Sequence, residues 1–599
     1  MIAFLAVPAI RKLMVVPKED EIRVLLVYHP AYLKNAPHIL AAYESVLQEE
    51  GVPYETVDVL QLTRVDAGKL VKTVPVVIMP DNLLQSVPAQ FDDWTKQYLA
   101  NGGNIAVIYD AGIRDDHGHF REHAAFADII GLNYITYSTA GTEAYGYGYV
   151  RFSSKENRDF FQIPMGKTID GLVLSSYGYG PLKYPLARNV SVRDIPETGI
   201  YAYSEAANNE RFPSLVLTEY AKGRVLYVNL PLGHLKANTD DLPLRSMLRT
   251  FLFDVVEIPH ITNVEQGQGG IVINWHIDSS IEHTTLPAMQ AEGFLRPGLR
   301  ASFHITAGDF RDTPLDRLGY DAVGAGRGLT TLLKGYGVIG SHGGWAHNWF
   351  SENITKGAFA EPEIREFIAK NNISLETVVG YKVIEYSAPS GLHPQPATTK
   401  ILEDMGFIAY YYTGDTGSGP NRTFYEGKMV SDKVIAFPVM PFGRTASLGE
   451  MYDLDHKNET EVTEWLFSIL SYAARNRTVR LVYSHPYDIE AYPQAMKAFI
   501  DRAEAMQAAG EITVRPMSDF ARFFLRFMST TYAFRVKEKQ LVISLKNLDD
   551  LAGITIALPK KSCQKPTAEG IVVREDERYY YLTVVGKNEK EKLITADTR

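Results

Sequence analysis

Eight short apolar segments recur through the middle of this chain, at 271–278, 301–306, 338–341, 383–387, 407–413, 434–439, 479–485 and 512–515. Their alternation with helical stretches constrains the fold more than any other feature. Segments of this length with few polar residues read as strands covered on both faces. Several of the intervening runs, clearest at 361–370, 397–405, 461–475 and 491–508, have helical spacing and length enough to cross back over a parallel sheet. Seven or eight such units predict a β/α barrel. Two strands show how it would be lined. Ile271, Ile273, Trp275 and Ile277 alternate with Val272, Asn274, His276 and Asp278, and Ala301, Phe303 and Ile305 with Ser302, His304 and Thr306. Successive side chains face opposite ways, so one face packs on helices and a mostly polar face points inward. Polar groups there need partners, water or a metal.

The flanks read differently. Strands at 22–28, 54–59, 74–79 and 104–109, with helices at 38–50 and 91–100, predict a parallel α/β sheet of the flavodoxin kind, covered on both faces. Residues 145–219 read as antiparallel β, and a strand at 224–230 with a helix at 241–255 closes the region. Beyond 530, short strands at 533–536, 540–545, 554–557, 570–574 and 579–585 predict a small antiparallel β domain. The expected organisation is a tail over 1–20, an α/β domain over 21–261, a Gly-rich linker at 265–270, the distorted (β/α)7-8 barrel over 268–528 and the β domain over 530–599.

Composition removes several function classes. A net charge of -10 argues against nucleic acid as a partner. The single cysteine, Cys563, excludes an intramolecular disulfide, a thiolate zinc finger and a CxxC redox pair. Any transition metal must therefore be held by histidine and carboxylate. No apolar run is long enough for a transmembrane helix. The start is apolar, but Arg11 and Lys12 follow the apolar residues rather than precede them, which makes a poor secretory signal.

Four groups stand at expected C-terminal strand ends: Asp278, His342 with His347, and His485. His342 and His347 flank Gly343-Gly344, and two neutral imidazoles freed by glycines can converge on one ion. Each has an ordinary reading alone. An aspartate closing a strand serves a turn, and a histidine before proline serves a core. Four in one barrel point to a site. Trp345, Tyr411 and Tyr487 lie near the expected mouth with His276, as candidate substrate-binding residues; packing explains aromatic side chains equally well.

The motifs come in the order of a known family. Trp275-His276-Ile277-Asp278, Ala301 to Thr306, Gly340-Ser341-His342 with His347, Ser387 to Gly391 with Ala397 to Phe407, and Val482 to His485 together resemble the polysaccharide deacetylase superfamily, carbohydrate esterase family 4. The resemblance runs from 270 to 527. It implies a NodB-like barrel and a divalent ion, zinc being that family's usual metal, on Asp278, His342 and His347. It also implies removal of acetyl groups from an N-acetylated polysaccharide, with His485 protonating the leaving amine. There are departures. The first motif has one aspartate where the family has two, so either Asp278 is the ligand and the base lies elsewhere, Asp415 being a candidate, or Asp278 is the base. The first is the expectation adopted. The histidine spacing is five where the family has four, a difference that a bulge at Gly343-Gly344 would absorb, and Ser387 replaces an arginine.

The N-terminal region resembles the class I glutamine amidotransferase fold, whose nucleophilic cysteine follows a strand. At the matching turn this chain has Asp110, so the resemblance implies a fold without the amidase chemistry. Two further readings stay open: a non-catalytic glycan-binding protein on the same barrel, and a metal-dependent amidohydrolase of another amide. A polysaccharide substrate would place the protein outside the cytoplasm; oligomeric state is not legible.

Overall fold

A computed structural model describes residues 20–134, 144–308, 319–414 and 417–599. Its centre is a nearly closed parallel barrel. Seven strands lie in chain order around it: Gly269–Ile277, Ala301–Ile305, Gly337–His342, Glu385–Ser387, Ala409–Tyr412, Ile435–Pro438 and Val479–Ser484. The seventh returns to the first along six residue pairs. Between the sixth and seventh the Val439–Leu481 bridge closes the ring. The eighth expected strand, Ile512–Val514, pairs with the start of the first.

The predicted two-faced pattern is present. Ile271, Ile273, Trp275 and Ile277 pack outward in one core with Leu466, Ile469 and Ala473 of the helix Glu459–Asn476. Val272 faces inward with Tyr411, Phe437 and Tyr483. Each apolar side chain fully buried this way contributes about 1.5–3 kcal/mol. The Gly-rich stretch at 265–270 is not a loose linker. Glu265–Gly267 is a single turn, and Gly269 and Gly270 already belong to the first strand. A side chain on Gly269 would come within 2.4 Å of the Ala473 carbonyl oxygen, so glycine is required by the close approach of that helix.

Among the described residues the N-terminal sheet has twelve strands. Tyr54–Asp58, Val24–Tyr28, Val76–Met79, Asn104–Ile108 and Gly223–Val228 run parallel in that spatial order. Arg211–Tyr220, Ile200–Ala206 and Tyr145–Phe152 continue it antiparallel. The helix expected over 241–255 divides into an α-helix at Asp241–Arg249 and a wider π-turn at Thr250–Val255. At the other end, Thr531–Lys537, Gln540–Lys546 and Glu591–Asp597 form one antiparallel sheet. Thr555–Pro559, Tyr579–Val584 and Ile571–Glu575 form a second, joined by His260–Thr262 from the edge of the N-terminal region. Among the described residues no helix is long and apolar enough to cross a membrane.

Candidate metal centre

The parallel strands all end at one rim, and that rim collects the predicted ligands. Asp278 follows the first strand, His342 ends the third, and His347 opens the helix His347–Thr355. One ligand atom from each lies within 4.8 Å of the others. His347 Nε2 is 3.4 Å from Asp278 Oδ2, and the rings of His342 and His347 are 5.0 Å apart. The extra residue between the histidines is taken up in a turn rather than a strand bulge. His342 is still paired with Ser387, and the chain bends over 343–346 before the helix begins. Gly343 has φ +65° and sits against Pro389, where a Cβ would meet the ring at 2.2 Å. A Cβ on Gly344 would meet Phe350 at 2.5 Å. Both glycines are needed to bring the second imidazole under the first.

Two polar atoms in this cluster are buried and have no partner: His342 Nε2 and Asp278 Oδ1. Buried polar atoms are nearly always hydrogen-bonded, so such a pair at one spot marks a place for a ligand. The opposite ring nitrogens are occupied. His342 Nδ1 is 2.7 Å from Ser387 Oγ, and His347 Nδ1 is 2.9 Å from Asn348 Oδ1. Second partners of this kind fix the ring and turn Nε2 toward a metal. Burial, with the neighbouring histidines His276, His347 and His485, holds the His342 pKa well below its ordinary value. The ring is therefore neutral, the form that binds metal. Two imidazoles and one carboxylate are a donor set that fits zinc with a coordination position left open.

His485 approaches the same carboxylate oxygen as His347, with Nε2 3.8 Å from Asp278 Oδ2. Its Nδ1 is 2.9 Å from Asp488 Oδ2. Burial would lower its pKa, but the Asp488 hydrogen bond and the charges of Asp278 and Asp488 outweigh that and push it up to about 9. Tyr487 stacks on the ring at 5.0 Å.

The remaining predicted residues divide by depth. His276 is buried inside the barrel, with Nε2 2.9 Å from Asn274 Oδ1 and its ring 4.3 Å from that of His342. Tyr411 is 2% exposed and packs beneath it at 5.3 Å. A sugar needs an exposed ring face, and Tyr411 presents none. Trp345 is half-buried, with Lys370 Nζ 4.2 Å above its ring. Asp415 lies outside the described residues.

Three contributors were missed in the sequence. Ser387 was read as the loss of an arginine, yet it orients His342. Asp488 lies three residues after His485, a spacing that could have flagged it as a partner across one turn. Glu282 opens the helix Glu282–Ala291, is fully buried, and has Oε1 without a partner. Burial, reinforced by the charges of Asp278 and Asp488 against the Thr285 hydrogen bond and His485, pushes its pKa up to about 8. It is a neutral acid at pH 7. Nothing in its sequence context distinguished it from a helix-start glutamate.

No family model matches the chain, and no curated protein matches it. Solved structures do. A candidate polysaccharide deacetylase from Mycobacterium smegmatis is similar at 15% identity and TM-score 0.31, over 43% of this chain and 90% of that one. A family 4 carbohydrate esterase from Streptomyces lividans, in complex with acetate, is similar at 10% identity and TM-score 0.25, over 41% of this chain and 91% of that one. A mutant of a CE4-family pseudoenzyme is similar at 12% identity and TM-score 0.24, over 42% and 67%. At these identities the likeness extends to no residue's role.

Proposed function

We propose that this protein is a metal-dependent hydrolase that removes acetyl groups from an N-acetylated polysaccharide. The observation that carries the reading is the convergence of Asp278, His342 and His347 on one point, with His342 Nε2 and Asp278 Oδ1 buried and unpartnered. These three residues would hold the ion. When bound, a divalent ion of this kind lowers the pKa of water toward about 7 and polarises an amide carbonyl.

The chain's own groups supply the rest. Ser387 and Asn348 hold the two imidazoles in register. Asp488 fixes His485 beside Asp278, and with a pKa near 9 the imidazole carries a proton at neutral pH. From there Nε2 gives that proton to the nitrogen that leaves as a free amine. Glu282, buried and neutral, keeps a second negative charge away from Asp278 at pH 7.

The test is metal content by mass spectrometry on wild type, His342→Ala and His347→Ala, alongside acetate release from acetylated amino-sugar oligomers. The expected result is about one zinc per chain, lost together with acetate release in both variants. A protein that takes up no zinc when it is offered would overturn the reading. Zinc without acetate release would keep the site and assign it to another amide.

A further inference from the structure

The hairpin between Val173–Ser176 and Gly180–Pro181 belongs to the N-terminal region, yet its tip is fastened to the barrel. Tyr177 donates its hydroxyl to Glu450 Oε1 at 2.6 Å and lies 2.7 Å from the Tyr483 hydroxyl. Its ring packs against the inward-facing cluster of the barrel. Tyr483 in turn packs on His276 at 4.9 Å. Gly178 N donates to the Arg444 carbonyl at 2.9 Å. Gly178 and Gly180 both have positive φ, +77° and +71°, which makes the turn tight. Tyr179 projects from this anchored tip into solvent and is 82% exposed.

Tyr179 edges a cleft of about 460 Å³. Lys167, Tyr184 and Asp240 line it from the N-terminal region, and Thr413 and Gly414 from the barrel. Thr413 and Gly414 follow the fifth barrel strand, on the rim that carries the metal centre. Contacts connect the two places. Gly343, next to His342, packs on Pro389, and Gly391 packs on Thr413. Further along the chain the barrel is tied to the N-terminal region, Ser418 Oγ donating to Asp241 Oδ2 and Arg422 Nε to Glu49 Oε1. The cleft therefore has two fixed walls. Two lysines, Lys167 and the exposed Lys183, face one carboxylate in the lining, Lys167 Nζ lying 3.8 Å from Asp240 Oδ1, and Tyr184 donates to Asp240 Oδ2 at 2.9 Å.

We infer that this cleft is a glycan subsite that holds the sugar chain beyond the residue at the metal centre, with Tyr179 as the stacking platform. An exposed aromatic on a fixed turn loses little freedom on binding, and its flat face suits the apolar face of a sugar ring. Beside it Asp240, partly exposed over the buried Lys167, offers acceptors to sugar hydroxyls, and the exposed Lys183 offers donors. The choice of glycan as occupant rests on the deacetylase reading; the cleft does not.

The test is native gel electrophoresis of the full-length protein in gels cast with glycol chitin, a neutral soluble N-acetylglucosamine polymer, and in gels cast with dextran. Wild type is expected to be retarded by glycol chitin and not by dextran. Tyr179→Ala should lose the retardation while keeping zinc, and Tyr179→Phe should retain it. His342→Ala should also retain it, because binding in the cleft needs no metal. Unretarded wild type, equal retardation by dextran, or a Tyr179→Ala variant retarded as wild type is, would each overturn the inference. Retardation lost in Tyr179→Ala in a protein that releases no acetate would uphold the subsite and remove the deacetylase reading.

Discussion

Parallel strands of two sheets in this molecule end in buried aspartates, and one of the two rims is the candidate metal centre. In the N-terminal sheet, Asp81 follows the strand Val76–Met79 and Asp110 the strand Asn104–Ile108. Tyr109, between strand and aspartate, is in the left-handed region at φ 54°, a sharp turn of the sort found where strain serves function. Yet every oxygen there is engaged. Asp81 accepts from the Tyr43 hydroxyl, Gly233 N, His234 N and the Asn82 side chain. Asp110 accepts from Asn82 N at 2.8 Å and Gln85 Nε2 at 2.6 Å. In the barrel, Asp278 Oδ1 and His342 Nε2 have nothing. Burial of charge is common to both regions. What separates a scaffold from a site is whether the buried atoms are already satisfied.

The sharpest way to break that distinction is to remove the orphans. Asp278→Asn, His342→Ala and His347→Ala should each abolish stoichiometric zinc, read by mass spectrometry after dialysis, because a three-ligand site that loses one ligand no longer has a structural reason to hold the ion. If Asp278→Asn kept full zinc, Asp278 would be the base and not a ligand.

Glu282 tests the comparison from inside the barrel, since it too has an oxygen without a partner. Its folded pKa is raised from 4.5 to about 8. A raised carboxyl binds its proton more tightly folded than unfolded, so its contribution to stability is full below pH 4.5 and is lost as pH rises toward 8. Glu282→Gln should flatten that decline in metal-free protein, with a gain on the order of a few kcal/mol at pH 8 relative to pH 5. Urea denaturation with EDTA at the two pH values reads it. Parallel pH slopes in variant and wild type would mean that the carboxyl is not held neutral.

Ser387→Ala asks how far the site extends beyond its ligands. Loss of the hydroxyl that fixes His342 Nδ1 should weaken zinc about 10–100-fold without changing its stoichiometry at saturation. Competition with a fluorescent chelator measures this.

The barrel was legible because its strands are short, apolar and regularly spaced, and because a two-residue period states which face is which. The candidate ligands stood out because they fall at strand ends. Their supporting residues were not. Ser387 and Asn348 matter through single hydrogen bonds to ring nitrogens, and serine and asparagine are so common in loops that the sequence gives them no weight. Tyr411 was misplaced at the mouth because alternation fixes which way a side chain faces but not how deep in the barrel it lies. Glycines misled in one place: at 269–270 they mark a close helix approach rather than a linker. The covering of the barrel by a hairpin from another region is a long-range event, joining Tyr177 to Glu450 across the chain, and no local pattern announces it.

The smallest expected effect comes from the satisfied side of the comparison. Asp110→Asn puts an amide NH2 where a carboxylate oxygen accepted, so one of the donors from Asn82 or Gln85 loses its partner. An unsatisfied buried donor costs about 1–3 kcal/mol. Burial raises the Asp110 pKa to about 7, with the neighbouring Asp81 adding to it against the two hydrogen bonds. By the same sign rule, the stability tied to the Asp110 proton is present below pH 3.8 and is lost as pH rises through 7. The penalty of Asp110→Asn should therefore be larger at pH 5 than at pH 8, in thermal melts at both, while zinc content stays unchanged. A change in zinc content would couple the two sheets and undo the division between scaffold and site. A penalty with no pH dependence would leave that division standing and show that Asp110 is ionised in the fold, held by its two donors strongly enough to overcome its burial.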